Sequence, residues 1–212
     1  RRLIQSLPRV CEHGCAYCYA RPTHEYLGLS AGLDFETKLF VKDDAPKLLR
    51  KKLSSRSWKP QYVMMSGVTD CYQPIERHLR LTRKCLEVFA EFRNPVGIVT
   101  KSDLVTRDID ILQTMTDPDT ANVIMSITSL DPALANKLEP RASTPIKRLR
   151  AVEKLRKAGI RTGIMIGPVI PGLNDHEISN IIKAAAEAGA QTAGYIILRL
   201  PYGVKDVFSD WL

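Results

Sequence analysis

The sequence predicts an α/β fold built on a parallel sheet. Three observations point there. From about residue 61 onward, short apolar runs alternate with helix-period segments; little linker separates them; and the runs are continuous rather than alternating, as when both faces of a sheet are covered. Tyr62-Val63-Met64-Met65 is the first expected strand. Leu81, Cys85, Val88 and Phe92 follow at a helical spacing. Val96-Gly97-Ile98-Val99-Thr100 is the second strand, after which Ser102 is expected to cap a helix carrying Leu104, Ile111, Leu112 and Met115. Asn122-Val123-Ile124-Met125-Ser126-Ile127 is the third strand.

A helix is expected from about Pro145 to Ala158, with Ile146, Leu149, Val152 and Leu155 inward, and Gly159 ending it in a left-handed conformation. Thr162-Gly163-Ile164-Met165-Ile166 is the fourth strand. Asn174-Asp175-His176-Glu177 has capping-box spacing and opens a helix through Ile178, Ile181, Ile182 and Ala185, with Gly189 after it. Gly194-Tyr195-Ile196-Ile197-Leu198 closes the series. Repeated β-then-α units without reversal give a βα barrel or a doubly wound sheet. With no repeat, low-complexity tract or linker, residues 1–212 read as one domain.

Either architecture gathers chemistry at the C-terminal ends of its strands. Polar residues stand there four times: Ser66-Gly67-Val68-Thr69-Asp70, Thr100-Lys101-Ser102, Ser126-Ile127-Thr128-Ser129, and Gly167-Pro168-Val169-Ile170-Pro171-Gly172. All four are expected to face one bowl.

Composition narrows the function classes. The 212 residues are 44% hydrophobic and 25% charged, with 31 Lys+Arg against 23 Asp+Glu for a net charge of +8. That excludes collagen, coiled coil and disordered chains. No apolar run approaches the roughly 20 residues of a membrane span. The start, Arg1-Arg2-Leu3-Ile4, has neither Met nor an apolar signal region, so no signal peptide is expected and a cytoplasmic protein is; a processed chain, or one truncated at one or both ends, is compatible with it. The positive balance admits an anionic partner such as nucleic acid. The basic stretches 50–52, 77–84 and 147–157 fall on outer helix faces and are read as solvated, since aromatics are not interleaved with them.

Five cysteines stand at 11, 15, 18, 71 and 85. An odd count with three packed together argues for a reducing compartment and for metal or redox use. In Cys11-Glu12-His13-Gly14-Cys15-Ala16-Tyr17-Cys18, three soft thiolates at C-x3-C-x2-C spacing suit an iron–sulfur cluster or zinc. Zinc would want a fourth ligand, for which His13 or His24 can be nominated, and no C-x2-C or H-x3-H follows downstream. Three cysteines on a 4Fe–4S cluster leave one iron open for a substrate or cofactor. His13 and His24 otherwise read as solvated or backbone-bonded loop residues, His78 and His176 as surface residues, and Cys85 as a core thiol.

The cysteine spacing, the aromatic Tyr17 before the third cysteine and the βα series behind it resemble the radical SAM superfamily. The stretch CEHGCAYCYARPTHEYLGLSAGLDFETKLFVK is similar to bacterial members related to spore photoproduct lyase. The likeness continues through GVTDCYQPIE (67–76), TKSDLVTRD (100–108), SITSLD (126–131), LEPRAS (138–143) and GPVIPGLND (167–175). It implies a partial (β/α)6 barrel with a 4Fe–4S cluster and S-adenosylmethionine (AdoMet) at its mouth. Cys11, Cys15 and Cys18 would bind three irons, and the amino and carboxylate groups of AdoMet the fourth. Tyr17 would lie near the adenine. Ser66, Gly67, Thr69 and Asp70 take the place of the superfamily's Gly-rich motif that receives the amino group. Lys101 would lie near the carboxylate, Ser126 near the ribose, and Ile166 and Pro168 against the adenine. Arg141 is a further candidate for the carboxylate, with an ion pair to Glu139 or Asp70 as the alternative.

The resemblance further implies one-electron reduction by a flavodoxin- or ferredoxin-type donor, cleavage of AdoMet to a 5′-deoxyadenosyl radical, and hydrogen abstraction from a substrate. Nucleic acid enters as substrate by analogy to the lyase. Three departures are visible. Ser6-Leu7-Pro8-Arg9-Val10 replaces Asn-Pro-Tyr-Arg-Gly before the first cysteine; Cys71 replaces Pro; and Gly67 occupies the place of the lyase's hydrogen-donating cysteine. Cys71, four residues on, is the candidate catalytic thiol. A metal-binding structural or regulatory module without turnover is the competing reading.

Overall fold

The computed structural model describes residues 11–115 and 120–212. Five strands, β1 (Val63–Met65), β2 (Val96–Thr100), β3 (Ala121–Ser126), β4 (Arg161–Val169) and β5 (Ala193–Ile197), form one parallel sheet in the order β1-β2-β3-β4-β5. A doubly wound sheet reverses its order at a switch point, and this one does not; the winding is that of a barrel. Helices α1 (Leu33–Thr37) and α2 (Ala45–Leu53) precede the sheet. Helices α3 (Glu76–Leu79) and α4 (Leu81–Glu91) join β1 to β2, and a 3-10 turn (Asp103–Asp108) with α5 (Ile109–Thr114) follows β2. Helices α6 (Pro132–Leu138) and α7 (Pro145–Lys157) join β3 to β4, α8 (Ile178–Glu187) joins β4 to β5, and α9 (Val204–Trp211) follows β5.

Strand side chains alternate between faces. Val63, Met65, Ile98, Val123, Met125, Ile164 and Ile166 share one core with Leu86, Phe89, Leu112, Val152, Leu155 and Ile181 of the helices. Burial of each large apolar side chain there contributes about 1.5–3 kcal/mol. The alternate residues Met64, Val99, Ile124 and Met165 are partly buried, among glycines. At Gly97 a Cβ would stand 1.9 Å from the Tyr62 hydroxyl, so only glycine lets that ring cross the strand.

Four expectations need correction. Ile146 is 54% exposed, and Arg148 takes the inward position of α7 at 2%. Each three-residue step along a helix falls about 60° short of a full turn, so the chosen row 146, 149, 152, 155 drifts half-way round the helix. The Asn174–Glu177 capping box does not form. Asn174 Oδ1 instead accepts from Ile170 N (2.6 Å), its Nδ2 donates to the carbonyls of Thr128 (2.7 Å) and Pro168 (3.0 Å), and Glu177 accepts from Ser129 Oγ (2.6 Å) and Leu130 N (2.7 Å). Both side chains therefore tie the ends of β3 and β4 together. In β5, Tyr195, Ile196 and Ile197 are exposed, so this strand is not covered on both faces. The basic stretches are not uniformly solvated either: Arg83 pairs with buried Asp108, and Arg148 is itself buried. Ser102 does cap, its Oγ accepting from Leu104 N at 3.3 Å, and Gly159 ends α7 with φ of 79°. Among the described residues no helix is long and apolar enough to cross a membrane. The departure at 6–10 lies outside the described residues.

Candidate functional site

The cysteine loop lies against the strand ends. Cys11 and Cys15 are buried, Cys18 is partly exposed, and all three thiols are free. Cys11 packs with Ala20 and Phe35; Cys15 packs with Ala16, Tyr17, Leu138, Ile170 and Phe208; Cys18 touches both groups. Burial pushes the Cys11 thiol up to about 12, reinforced by Cys18 and Asp70, while the N–H groups of Asp70 and His13 act against the rise. Burial likewise raises Cys15 and Cys18. Thiolates in such a place need cations to stabilise them.

Among the described residues no three His, Cys, Asp or Glu side chains converge tightly enough to hold a single metal ion. Three soft thiols on one short loop are a donor set that fits a cluster held by three cysteines.

Two guanidinium groups hold the loop from outside. Arg21, 2% exposed, donates to the carbonyls of Cys15 (3.0 Å), Gly14 (3.3 Å), Ala31 (2.9 Å) and Gly32 (3.2 Å). It also pairs with Glu36 at 2.6 Å. Glu36 in turn pairs with Arg141, which donates to the Glu12 carbonyl. Gly14 has φ of 66°, and a Cβ there would stand 2.2 Å from Arg141 Nη2, so the clamp requires glycine at this position. Arg141 is thus committed to Glu36, a partner outside the two expected alternatives.

On the strand side, Glu139 is the hub. Its carboxylate is fully buried and accepts from the Tyr17 hydroxyl, from Thr128 Oγ1 (2.5 Å) and from Arg148, with Lys101 Nζ at 3.8 Å. Burial alone would raise its pKa, but Arg148 and then Lys101 hold it down at about 2. Lys101 Nζ also donates to Ser126 Oγ at 2.8 Å and lies 5.8 Å from the Tyr17 ring centre. Asp70 organises the neighbouring loop: Oδ1 accepts from Thr100 Oγ1 (2.7 Å) and Tyr72 N (2.8 Å), and Oδ2 from Lys101 N (2.7 Å). Ser66 has φ of 71°, the left-handed region that favours glycine, in a stretch that takes the place of a Gly-rich motif. Its Oγ accepts from Cys71 N at 3.1 Å. Tyr19 donates its hydroxyl to the Gly67 carbonyl at 3.0 Å, bridging the cysteine loop to this turn.

The expected residues thus divide. Cys11, Cys15, Cys18, Tyr17, Gly67, Asp70, Lys101 and Ser126 are joined in one contact network, and Ser66 and buried Thr69 belong to the same turn. Ile166 does not face them: it is 1% exposed in the helix-side core, while its neighbours Met165 and Gly167 point to the opposite face. Pro168 is buried, and its carbonyl is held by Asn174. Cys71 is 2% exposed inside the main core, and burial raises its thiol well above the ordinary range; the structure does not bring it to the mouth. His13 and His24 are 2% and 0% exposed, not solvated. Sequence reasoning named Glu139 only as an ion-pair partner for Arg141, and it missed Arg148, Tyr19 and the Arg21–Glu36 pair. Tyr19 and Arg21 stand in the stretch CYAR and Glu139 in LEPRAS, whereas Arg148 lies on an expected helix with nothing local to mark it.

The radical SAM superfamily model matches residues 6–185. A protein of Mycobacterium tuberculosis is 33% identical over 206 residues, covering 96% of this chain and 61% of its own length. A Pseudomonas phage M6 protein named radical SAM Nα-GlyT isomerase is 28% identical over 182 residues, 84% of this chain and 35% of its own. Spore photoproduct lyase, solved with bound AdoMet and dinucleoside spore photoproduct, superposes with a TM-score of 0.67 at 21% identity, over 97% of this chain and 59% of that one. The chain spans about three fifths of the length of the mycobacterial relative. With the match running through most of its length, this chain belongs to the radical SAM superfamily, whose members use a 4Fe–4S cluster and AdoMet.

Proposed function

We propose that this chain carries a radical SAM active site in which Cys11, Cys15 and Cys18 hold the cluster and Lys101, Ser126 and the 66–70 turn receive AdoMet. When bound, cluster and AdoMet supply a 5′-deoxyadenosyl radical that abstracts a hydrogen atom from substrate. The observation that carries the reading is the junction at Glu139. One buried carboxylate holds both Tyr17 of the cysteine loop and, at 3.8 Å, Lys101 of the β2 end.

Each residue has a physical task in this reading. Lys101 is a cation whose nearest carboxylate is already paired with Arg148, which leaves its charge for the carboxylate of a zwitterionic nucleoside. Asp70 fixes the backbone of Tyr72, just past the 66–70 turn, and of Lys101. The apolar packing about Cys15 keeps water from the cluster. A one-electron donor of flavodoxin or ferredoxin type is needed. Nucleic acid is the substrate class we infer; the lyase bound to a dinucleoside photoproduct and the net charge of +8 support it.

Anaerobic reconstitution with iron and sulfide, followed by dithionite and AdoMet, tests the reading. 5′-Deoxyadenosine should form, and Cys15→Ala should lose both the cluster absorbance and the product. Stoichiometric zinc in place of iron, or an intact cluster in Cys15→Ala, would overturn the ligand assignment. A full cluster that never cleaves AdoMet would leave a metal-binding module without turnover. Deuterium transfer from labelled oligonucleotides into 5′-deoxyadenosine, compared with labelled peptides, decides the substrate class.

A further inference from the structure

His13 stands in the cysteine loop between two of the cysteines, yet it behaves as an interior residue. It is 2% exposed, and its Nδ1 is buried with no hydrogen-bond partner. Buried polar atoms are nearly always paired, so an orphan of this kind asks for a partner. The Asp70 carboxylate stands beside it, with Oδ2 at 3.5 Å, longer than an ordinary hydrogen bond. Asp70 Oδ2 already accepts one bond, from Lys101 N, and a carboxylate oxygen has room for a second. The backbone that carries the ring is fixed: the His13 carbonyl accepts from Arg141 N at 3.3 Å, and the flanking Gly14 carbonyl is held by Arg21.

We propose that His13 is a cofactor-binding residue: with its proton on Nε2, Nδ1 acts with Asp70 Oδ2 as a paired acceptor for the α-amino group of AdoMet. The inference rests on the reading given under Proposed function and adds a ligand contact to it. An amino group presents its N–H bonds in different directions, which two acceptors a few ångströms apart can take together. The arrangement also explains why an imidazole is tolerated in a loop otherwise closed to water. A solvated histidine needs no such burial, and a purely packing residue needs no nitrogen.

The test uses the reconstituted chain with its cluster present, and AdoMet affinity as the readout. His13→Leu should keep its iron content but bind AdoMet about tenfold more weakly, the loss of one buried hydrogen bond. His13→Asn, whose side-chain oxygen can stand near the place of Nδ1, should recover most of that loss. An AdoMet analogue lacking the α-amino group should bind wild type and His13→Leu equally. The change in the cluster's electron paramagnetic resonance spectrum on adding AdoMet should be smaller in His13→Leu than in His13→Asn. Unchanged affinity in His13→Leu, or an equal loss with the analogue, would overturn the proposal. Failure of wild type to bind AdoMet at all would instead overturn the functional reading beneath it.

Discussion

Two buried carboxylates in this molecule are built alike and do different work. Asp108, fully buried, accepts from the Tyr72 hydroxyl at 3.0 Å and pairs with Arg83 (3.1 Å) and Arg107 (2.8 Å). Glu139, also fully buried, accepts from the Tyr17 hydroxyl and pairs with Arg148, with Lys101 farther off at 3.8 Å. The difference lies in what the cations do with their remaining charge. Around Asp108 it is consumed locally: Arg83 also meets Asp110 at 2.7 Å, and Arg107 also meets Glu76 at 2.9 Å. Around Glu139 the lysine is held by a hydroxyl and by a distant carboxylate, and keeps charge for a ligand. Burial and a strong ion pair alone therefore do not mark a functional site. An incompletely paired cation beside a buried, satisfied anion is the better mark.

The comparison can be broken by removing each carboxylate in turn. Glu139→Ala should cost about 3–5 kcal/mol in chemical denaturation, because it strands the buried Arg148 guanidinium; Asp108→Ala should cost about 1–3 kcal/mol, because Arg83 and Arg107 keep Asp110 and Glu76 and only the buried Tyr72 hydroxyl loses its partner. Their effects on AdoMet should separate: Glu139→Ala loses binding, whereas the folded fraction of Asp108→Ala binds within about twofold of wild type. Equal loss of affinity in both would erase the distinction. A smaller effect is expected from Lys101→Ala, which should leave the cluster and the fold intact but weaken AdoMet by roughly tenfold or more. Wild-type affinity in that variant would remove Lys101 from the site.

Acidification sharpens the same contrast. The Glu139 pKa is depressed from 4.5 to about 2 in the fold. Its stabilising contribution is therefore fully present above about pH 4.5 and is lost as the pH falls toward 2. Denaturation midpoints of wild type and Glu139→Gln should converge over that window, and a constant gap would contradict the assignment. The smallest effect belongs to Ile146→Ser, within about 0.5 kcal/mol, since the side chain is 54% exposed.

What was legible in the sequence follows from how local each signal is. β2 runs Val96–Thr100 as the apolar run predicts, and α7 runs Pro145–Lys157 because its proline, helical period and following glycine are all local. The cysteine spacing and the polar strand ends were equally local. Glu139 was not legible, because the carboxylate is stabilised in that interior by Tyr17, Thr128 and Arg148, partners contributed by three separate elements, one of them 122 residues away. Asn174 and Glu177 misled for the opposite reason. Their spacing suits a cap, but tertiary partners in the segment that follows β3 claim both side chains first. Cys71 stood near the right loop in sequence, and its chain direction turned it into the core.

The clamp of Arg21, Glu36 and Arg141 concentrates the hold on the loop in one side chain. It fixes the carbonyls of Glu12, Gly14 and Cys15 with side chains from outside the loop. Ordering an eight-residue loop costs on the order of 10 kcal/mol of conformational entropy, which these bonds offset in part. Glu36 is the carboxylate that both guanidinium groups share, so a single change there unfastens two anchors and three carbonyls at once.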